Sequence, residues 1–197
     1  DEIRMILKWL KCSIPEDALH DILKEVDADQ SGTINQREYL RCLRKVREHE
    51  LDLVRKAIAS AQDEGCLPRE RVPHLFRDLG YILWDAEAIT EAAQDAGILE
   101  HHLDLSNLWR LLLMYRHREG MRSSELECID TAFRREDPEG TGRLSPLEVP
   151  TAIRSLGYQV SFEAMQSVLR QVDVDDSGHL DKMQFRKVIR MLQEIDP

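Results

Sequence analysis

The sequence predicts an all-α fold, an array of five helix–loop–helix units arranged in paired lobes. Three observations carry that prediction. A twelve-residue pattern, with an aliphatic residue at its eighth position and glycine at its sixth in every copy but 96–107, recurs with starts 33, 36, 41 and 36 residues apart. Amphipathic helical patterns fill the intervals, as in Ala18, Leu19, Ile22, Leu23 and Val26 before the first of them. The linkers alternate between a short glycine-terminated kind and a long kind, which sorts the units into pairs.

Composition sets the outer bounds. The 197 residues suffice for one or two domains with real cores. A net charge of −10 with 42% hydrophobic residues describes an acidic globular chain. Nucleic-acid binding favours basic faces, so no nucleic-acid partner is expected. No run of about 18 apolar residues exists, so no membrane span is expected either. Cys12, Cys42, Cys66 and Cys128 are scattered without metal spacing, which suits free thiols in a reducing, cytoplasmic setting. His101-His102 lacks a nearby cysteine and reads as a solvated loop.

In chain order, residues 3–11 resemble in plan the outgoing helix of an earlier unit, and the start Asp-Glu-Ile-Arg-Met is neither an initiator methionine nor a signal peptide. The expectation is a segment of a longer array, with residues 1–50 holding that helix and unit one. The twelve residues 27–38 follow, with Asp27, Asp29, Ser31, Asn35 and Glu38 at positions 1, 3, 5, 9 and 12 and Gly32 at 6. Oxygen donors at this spacing wrap a sharp loop around one hard cation, and Gly32 permits the turn. Thr33 would give its backbone carbonyl, and Glu38 both carboxylate oxygens. The stretch resembles the calcium loop of an EF-hand, in which Ile34 at position 8 would bridge to a neighbouring loop. A capping box explains Asn35 and Glu38 but not the other positions.

From Tyr39 to Ala61 there is neither glycine nor proline, which predicts one long helix. Residues 60–71 repeat the pattern with Ser60 at position 1, Pro68 at 9 and Arg71 at 12, and residues 96–107 with Ala96, His101 and Asn107 at 1, 6 and 12. Arg71 at position 12 repels Ca²⁺ in the first of these, and the second lacks a carboxylate at positions 1 and 12, so both loops are expected to be metal-free and kept for packing, in a degenerate pair over residues 51–119. Gly80 after Leu75–Leu79 marks a helix end within that pair. The helical run beyond it is expected to end near Gly120, with Ser123 or Ser124 capping the next helix.

Residues 120–197 make the last pair. Loop 137–148 offers Asp137, Glu139, Thr141, the Arg143 carbonyl, Ser145 and Glu148; Glu139 is long for position 3, and Ser145-Pro146-Leu147-Glu148 is also a good capping box. Loop 173–184 offers Asp173, Asp175, Ser177, the His179 carbonyl and Asp181, with Gln184 in place of glutamate. One neutral oxygen replaces two anionic ones, so affinity should fall and the balance shift toward Mg²⁺. The Ile153–Tyr158 linker, Ile-Arg-Ser-Leu-Gly-Tyr, is similar to the connection inside a calmodulin lobe. Nearly the whole chain thus resembles the calmodulin-like EF-hand superfamily, which implies calcium-responsive opening of helix pairs.

Residues 108–115 are apolar around most of a helix, a surplus expected to pack between lobes in preference to forming a free partner groove, with Trp84 and Met121 adding to it. Arg41, Arg44, Lys45 and Arg47 read as a solvated face. No P-loop, nucleophile elbow, kinase motif or HExxH is present. The leading expectation is a non-catalytic Ca²⁺ sensor or adaptor docking to a protein target. The alternatives are a constitutive structural subunit of a large assembly, cytoskeletal or ciliary, and the regulatory segment of a larger enzyme.

Overall fold

The computed structural model of the chain describes residues 6–7, 14–61, 65–83, 85–173 and 177–195. The earlier readings of Cys12, Trp84, Asp175 and most of the 3–11 helix lie outside these residues. The fold is all-α. Its β structure among the described residues consists of two antiparallel ladders of two-residue strands. The chain divides into two compact units, residues 1–114 and 115–197.

In the first unit, α1 (Glu16–Val26) and α2 (Gln36–Ala61) pack together. Their core is Leu19, Ile22, Val26, Cys42 and Val46, joined by Leu7 from the start of the chain. These positions recur at three- and four-residue spacing, which puts them on one helical stripe. The long helix expected from Tyr39 to Ala61 is α2, and it extends back to Gln36. Its far half meets β1 (Leu67–Pro68) and α3 (Val72–Asp78). A short 3₁₀ turn, Arg69–Arg71, joins those two elements.

Next come α4 (Ala86–Asp95), β2 (His102–Leu103) and α5 (Leu105–His117). Helix α3 ends in the expected glycine motif: Gly80 donates to Arg77 O and Tyr81 to Phe76 O, while the Tyr81 ring lies 5.6 Å from that of Phe76. On α5, Leu108, Leu111, Leu112 and Tyr115 are buried and Leu113 is exposed. The basic run on α2 is only partly free. Lys45 pairs with Glu25 at 2.8 Å, Arg44 with Glu48 at 2.9 Å, and the Arg47 guanidinium sits 4.5 Å over the Trp109 ring. Arg41, Arg44 and Arg47 are exposed, as expected of a solvated face, and Arg47 in addition stacks on an indole from within it.

The second unit contains α6 (Ser123–Glu136), β3 (Arg143–Leu144), α7 (Glu148–Ser155), α8 (Phe162–Val172), β4 (Leu180–Asp181) and α9 (Lys182–Ile195). Ile129, Phe133, Val149, Ile153, Val168, Val172, Phe185, Val188, Ile189 and Met121 form its core. The Phe133 and Phe185 rings lie 5.9 Å apart and tilted, a pairing worth about 1 kcal/mol beyond burial.

The serine cap expected near residue 123 is not formed. Arg122 is the N-cap, its amide held by Glu125 Oε2 at 2.8 Å, while Ser123 Oγ accepts a hydrogen bond from Arg118. Helix α5 ends at His117, near Gly120 as expected. Glu119 at φ 56° donates to Arg116 O, and Gly120 follows at φ 72°, donating to Tyr115 O.

An ion pair ties α6 to α9. Asp130 accepts from Arg186 Nε at 2.9 Å and Nη2 at 2.7 Å, and from Lys182 at 2.6 Å. Asp130→Ala removes the carboxylate shared by the largely covered Arg186 and the half-exposed Lys182. Breaking a fully buried pair costs about 3–5 kcal/mol, and partial solvation brings this one to about 2 kcal/mol. Urea unfolding of the full chain, followed by far-ultraviolet circular dichroism, should show earlier loss of this unit.

Candidate metal centre

The loop between α1 and α2 is built from its first residue outward. Asp27 ends α1, its amide still bonded to Leu23 O. Its two carboxylate oxygens then point back into the loop: Oδ1 accepts from Ser31 N at 3.0 Å and Oδ2 from Gly32 N at 3.0 Å. Asp29 Oδ1 accepts from Ser31 N at 3.1 Å. Hydrogen bonds from the Ser31 side chain, then from its amide, hold the Asp29 carboxyl below the usual carboxylate range. The Ser31 hydroxyl reaches Thr33 O at 3.0 Å, which turns that carbonyl inward. Asn35 Oδ1 accepts from the amides of Arg37 and Glu38 and opens α2.

Glu38 closes the loop. It is 5% exposed, with Oε1 accepting from Ala28 N at 3.2 Å and Oε2 from Asn35 N at 3.0 Å. The capping box and the ion loop are therefore the same device, since each oxygen keeps a lone pair after its amide bond. Carboxylate oxygens of Asp27, Asp29 and Glu38 lie within 4.8 Å of one another. Three anions held this close, together with neutral oxygens from Ser31, Thr33 and Asn35, suit a hard divalent cation.

Loop 137–148 has the same internal frame. Asp137 accepts from Thr141 N and Gly142 N at 2.8 Å each, Thr141 Oγ1 reaches Arg143 O at 3.0 Å, and Ser145 N donates to Glu148 Oε2 at 2.7 Å. Burial works to raise the Asp137 carboxyl, but the amides of Gly142 and Thr141 together outweigh it and leave it lowered. The Ser145 amide likewise holds Glu148 down. Among the described residues, however, Asp137, Glu139 and Glu148 do not draw into a trio as tight as the first.

In loop 173–184, Asp173 accepts from Ser177 N at 3.1 Å and Gly178 N at 2.7 Å, and Ser177 Oγ reaches His179 O at 3.0 Å. Asp181 and Gln184 cap each other, each amide donating to the other's side chain at 2.8 Å. Gln184 thus reproduces the loop closure of Glu38 with one uncharged oxygen.

The remaining two loops are closed by arginine. Arg71 Nη1, at position 12 of 60–71, donates to Ser60 O at 3.4 Å, so the guanidinium reaches the residue at position 1 directly. Arg110 Nη2 donates to Ala96 O, again the residue at position 1. Loop 96–107 also starts differently, because Gly97 donates to Gln94 O and Ile98 to Ala93 O. Helix α4 is thereby stopped by a glycine turn, with no carboxylate to gather amides. Arg71 stands out in the sequence as a misplaced cation. Arg110, three residues beyond position 12, carries no comparable signal.

Residues 1–45 match the family model described as an EF-hand domain pair. The chain is similar to human Calcium-binding protein 7, 38% identical over 61 residues, covering 31% of this chain and 28% of the relative. It is similar to human Calcium-binding protein 8, 35% identical over 65 residues, covering 33% and 25%. It also resembles Probable calcium-binding protein CML20 of Arabidopsis thaliana, 30% identical over 70 residues, covering 36% and 41%. The match thus spans between a quarter and two-fifths of these relatives' lengths.

Proposed function

We propose that this chain, an EF-hand protein of calmodulin-like build, is a non-catalytic Ca²⁺ sensor or adaptor that docks to a protein target, its five units arranged in pairs. One observation carries the reading: Asp27, Asp29 and Glu38 hold three carboxylates within 4.8 Å of one another, in a loop whose amides already fix their orientation. Bound Ca²⁺ supplies the positive charge that relieves the repulsion among them. Asp27, Asp29, Ser31, Thr33, Asn35 and Glu38 would hold it, and loops 137–148 and 173–184 are weaker sites of the same type.

Helix α2 begins two residues before Glu38, so any movement of that carboxylate toward an ion turns the helix and bares apolar surface beside it. Among the described residues, no helix is long and apolar enough to cross a membrane. The working location is the cytoplasm.

A second reading, a constitutive structural subunit of a larger assembly, draws on the arginine closures. Arg71 and Arg110 tie two loops shut with a charge that no change in ion concentration removes. Calorimetric Ca²⁺ titration with a hydrophobic dye followed in parallel separates the two. A sensor is expected to raise dye fluorescence severalfold as heat is released. Heat without new dye sites would turn the assignment to a structural ion.

A further inference from the structure

The outer side of α2, over its first three turns, runs against the charge of the rest of the chain. Residues 37–47 carry five cations, Arg37, Arg41, Arg44, Lys45 and Arg47, and one carboxylate, Glu38, which is buried in the loop closure. The whole chain has 37 acidic residues against 27 basic ones. Lys45 is taken up by Glu25, but all four arginines are exposed. Arg44 meets Glu48 and still keeps a side chain 81% exposed. Among the described residues, neither Arg37 nor Arg41 meets a carboxylate.

Leu40, 59% exposed, lies within this group. Arg37 and Arg44 stand one turn before and one turn after it, and Arg47 two turns on. A lone exposed leucine is ordinary. Here it is framed by arginines, with the half-buried Trp109 ring 4.5 Å below the Arg47 guanidinium, and arginine and tryptophan are the residues interfaces favour. The stack also orders Arg47 in advance, so less rotamer freedom remains to be lost on binding. Arg37, Arg41 and Arg44 follow one another at about one helical pitch, and carboxylates four residues apart on a second helix repeat at the same pitch.

We propose that this face of α2 docks an acidic amphipathic helix of the protein target, with the partner's carboxylates on Arg37, Arg41 and Arg44 and an apolar side chain on Leu40. The row from Arg37 to Arg47 is about 15 Å long at 1.5 Å per residue, the size of one short helix. An anionic membrane is a poorer match. Glu25, 61% exposed, stands at the edge of the face, and a chain of net charge −10 is repelled by an extended negative surface. The proposal rests on the reading of the chain as an adaptor that docks to a protein.

The test is fluorescence anisotropy of a labelled synthetic amphipathic peptide, with glutamates four residues apart and leucines along one face, titrated with the full chain. Calorimetric Ca²⁺ titration is run on the same samples. The acidic peptide is expected to bind and its lysine counterpart is not, and added salt should weaken the complex by screening exposed pairs. Arg41→Glu turns an attraction into a repulsion and should weaken binding about tenfold. Leu40→Ser should weaken it about threefold. Arg170→Glu, the same charge change at an exposed arginine of the other unit, should leave affinity within about twofold. Unchanged affinity in Arg41→Glu overturns the proposal, as does equal binding of the two peptides. Binding to phosphatidylserine vesicles in place of the acidic peptide also overturns it. Ca²⁺ heat without peptide binding overturns the docking face and leaves the ion site standing. Peptide binding without Ca²⁺ heat upholds the face and overturns the sensor.

Discussion

Glu38→Gln is expected to abolish the tightest Ca²⁺ site of this chain. Glutamine keeps one acceptor oxygen and turns an amide group toward either Ala28 N or Asn35 N, both of which now donate to the carboxylate. The ion would lose one anionic oxygen and the loop would lose half its closure. Affinity should fall about a hundredfold, roughly 2.8 kcal/mol. Isothermal titration should show the first binding phase vanish while the weaker phases remain. The Gln184 loop is a natural control, since it already carries the substituted chemistry. Retention of the first phase in Glu38→Gln would move the principal site elsewhere.

The largest effect on stability is expected from Gly120→Ala. At φ 72° an alanine is strained whatever surrounds it, and its Cβ would stand 2.8 Å from Tyr115 Oη and 2.9 Å from Cζ. Tyr115 is buried, and burial pushes its hydroxyl up to about 12. The ring has no easy route aside. Strain and clash together should cost about 3 kcal/mol. Gly142→Ala, at φ 75° with nothing within 4 Å of the added carbon, isolates the conformational part and should cost about 1 kcal/mol. Urea unfolding of the two variants side by side measures the difference. Equal losses would mean that the Tyr115 contact contributes nothing.

What could be read in the sequence follows from how far apart the cooperating residues lie. Loop 27–38 draws its carboxylates from twelve consecutive residues, so spacing alone brings Asp27, Asp29 and Glu38 within 4.8 Å of one another. The unbroken stretch behind α2 was equally local. Asp130 and Arg186, by contrast, are 56 residues apart, and neither has a helical pattern that points to the other. The same holds for Arg190, which reaches Glu119 across 71 residues at 2.9 Å. The serine cap fails locally: Arg122 takes the N-cap position and Ser123 becomes the first helical residue, its hydroxyl accepting from Arg118 five residues earlier. Spacing reports what each loop prefers, while the long-range pairs are set by how the helices pack.

Helix α2 has one further consequence. Its 26 residues make a rod about 39 Å long at 1.5 Å per residue. Glu38 stands near one end, and Ser60, whose carbonyl Arg71 grips, near the other. A tilt of about 10° pivoting at the Glu38 end would sweep the far end through roughly 7 Å, more than one helical turn. The rod is thus a lever. A displacement of the glutamate too small to expose much surface beside it would be magnified at loop 60–71, where Arg71 grips the Ser60 carbonyl.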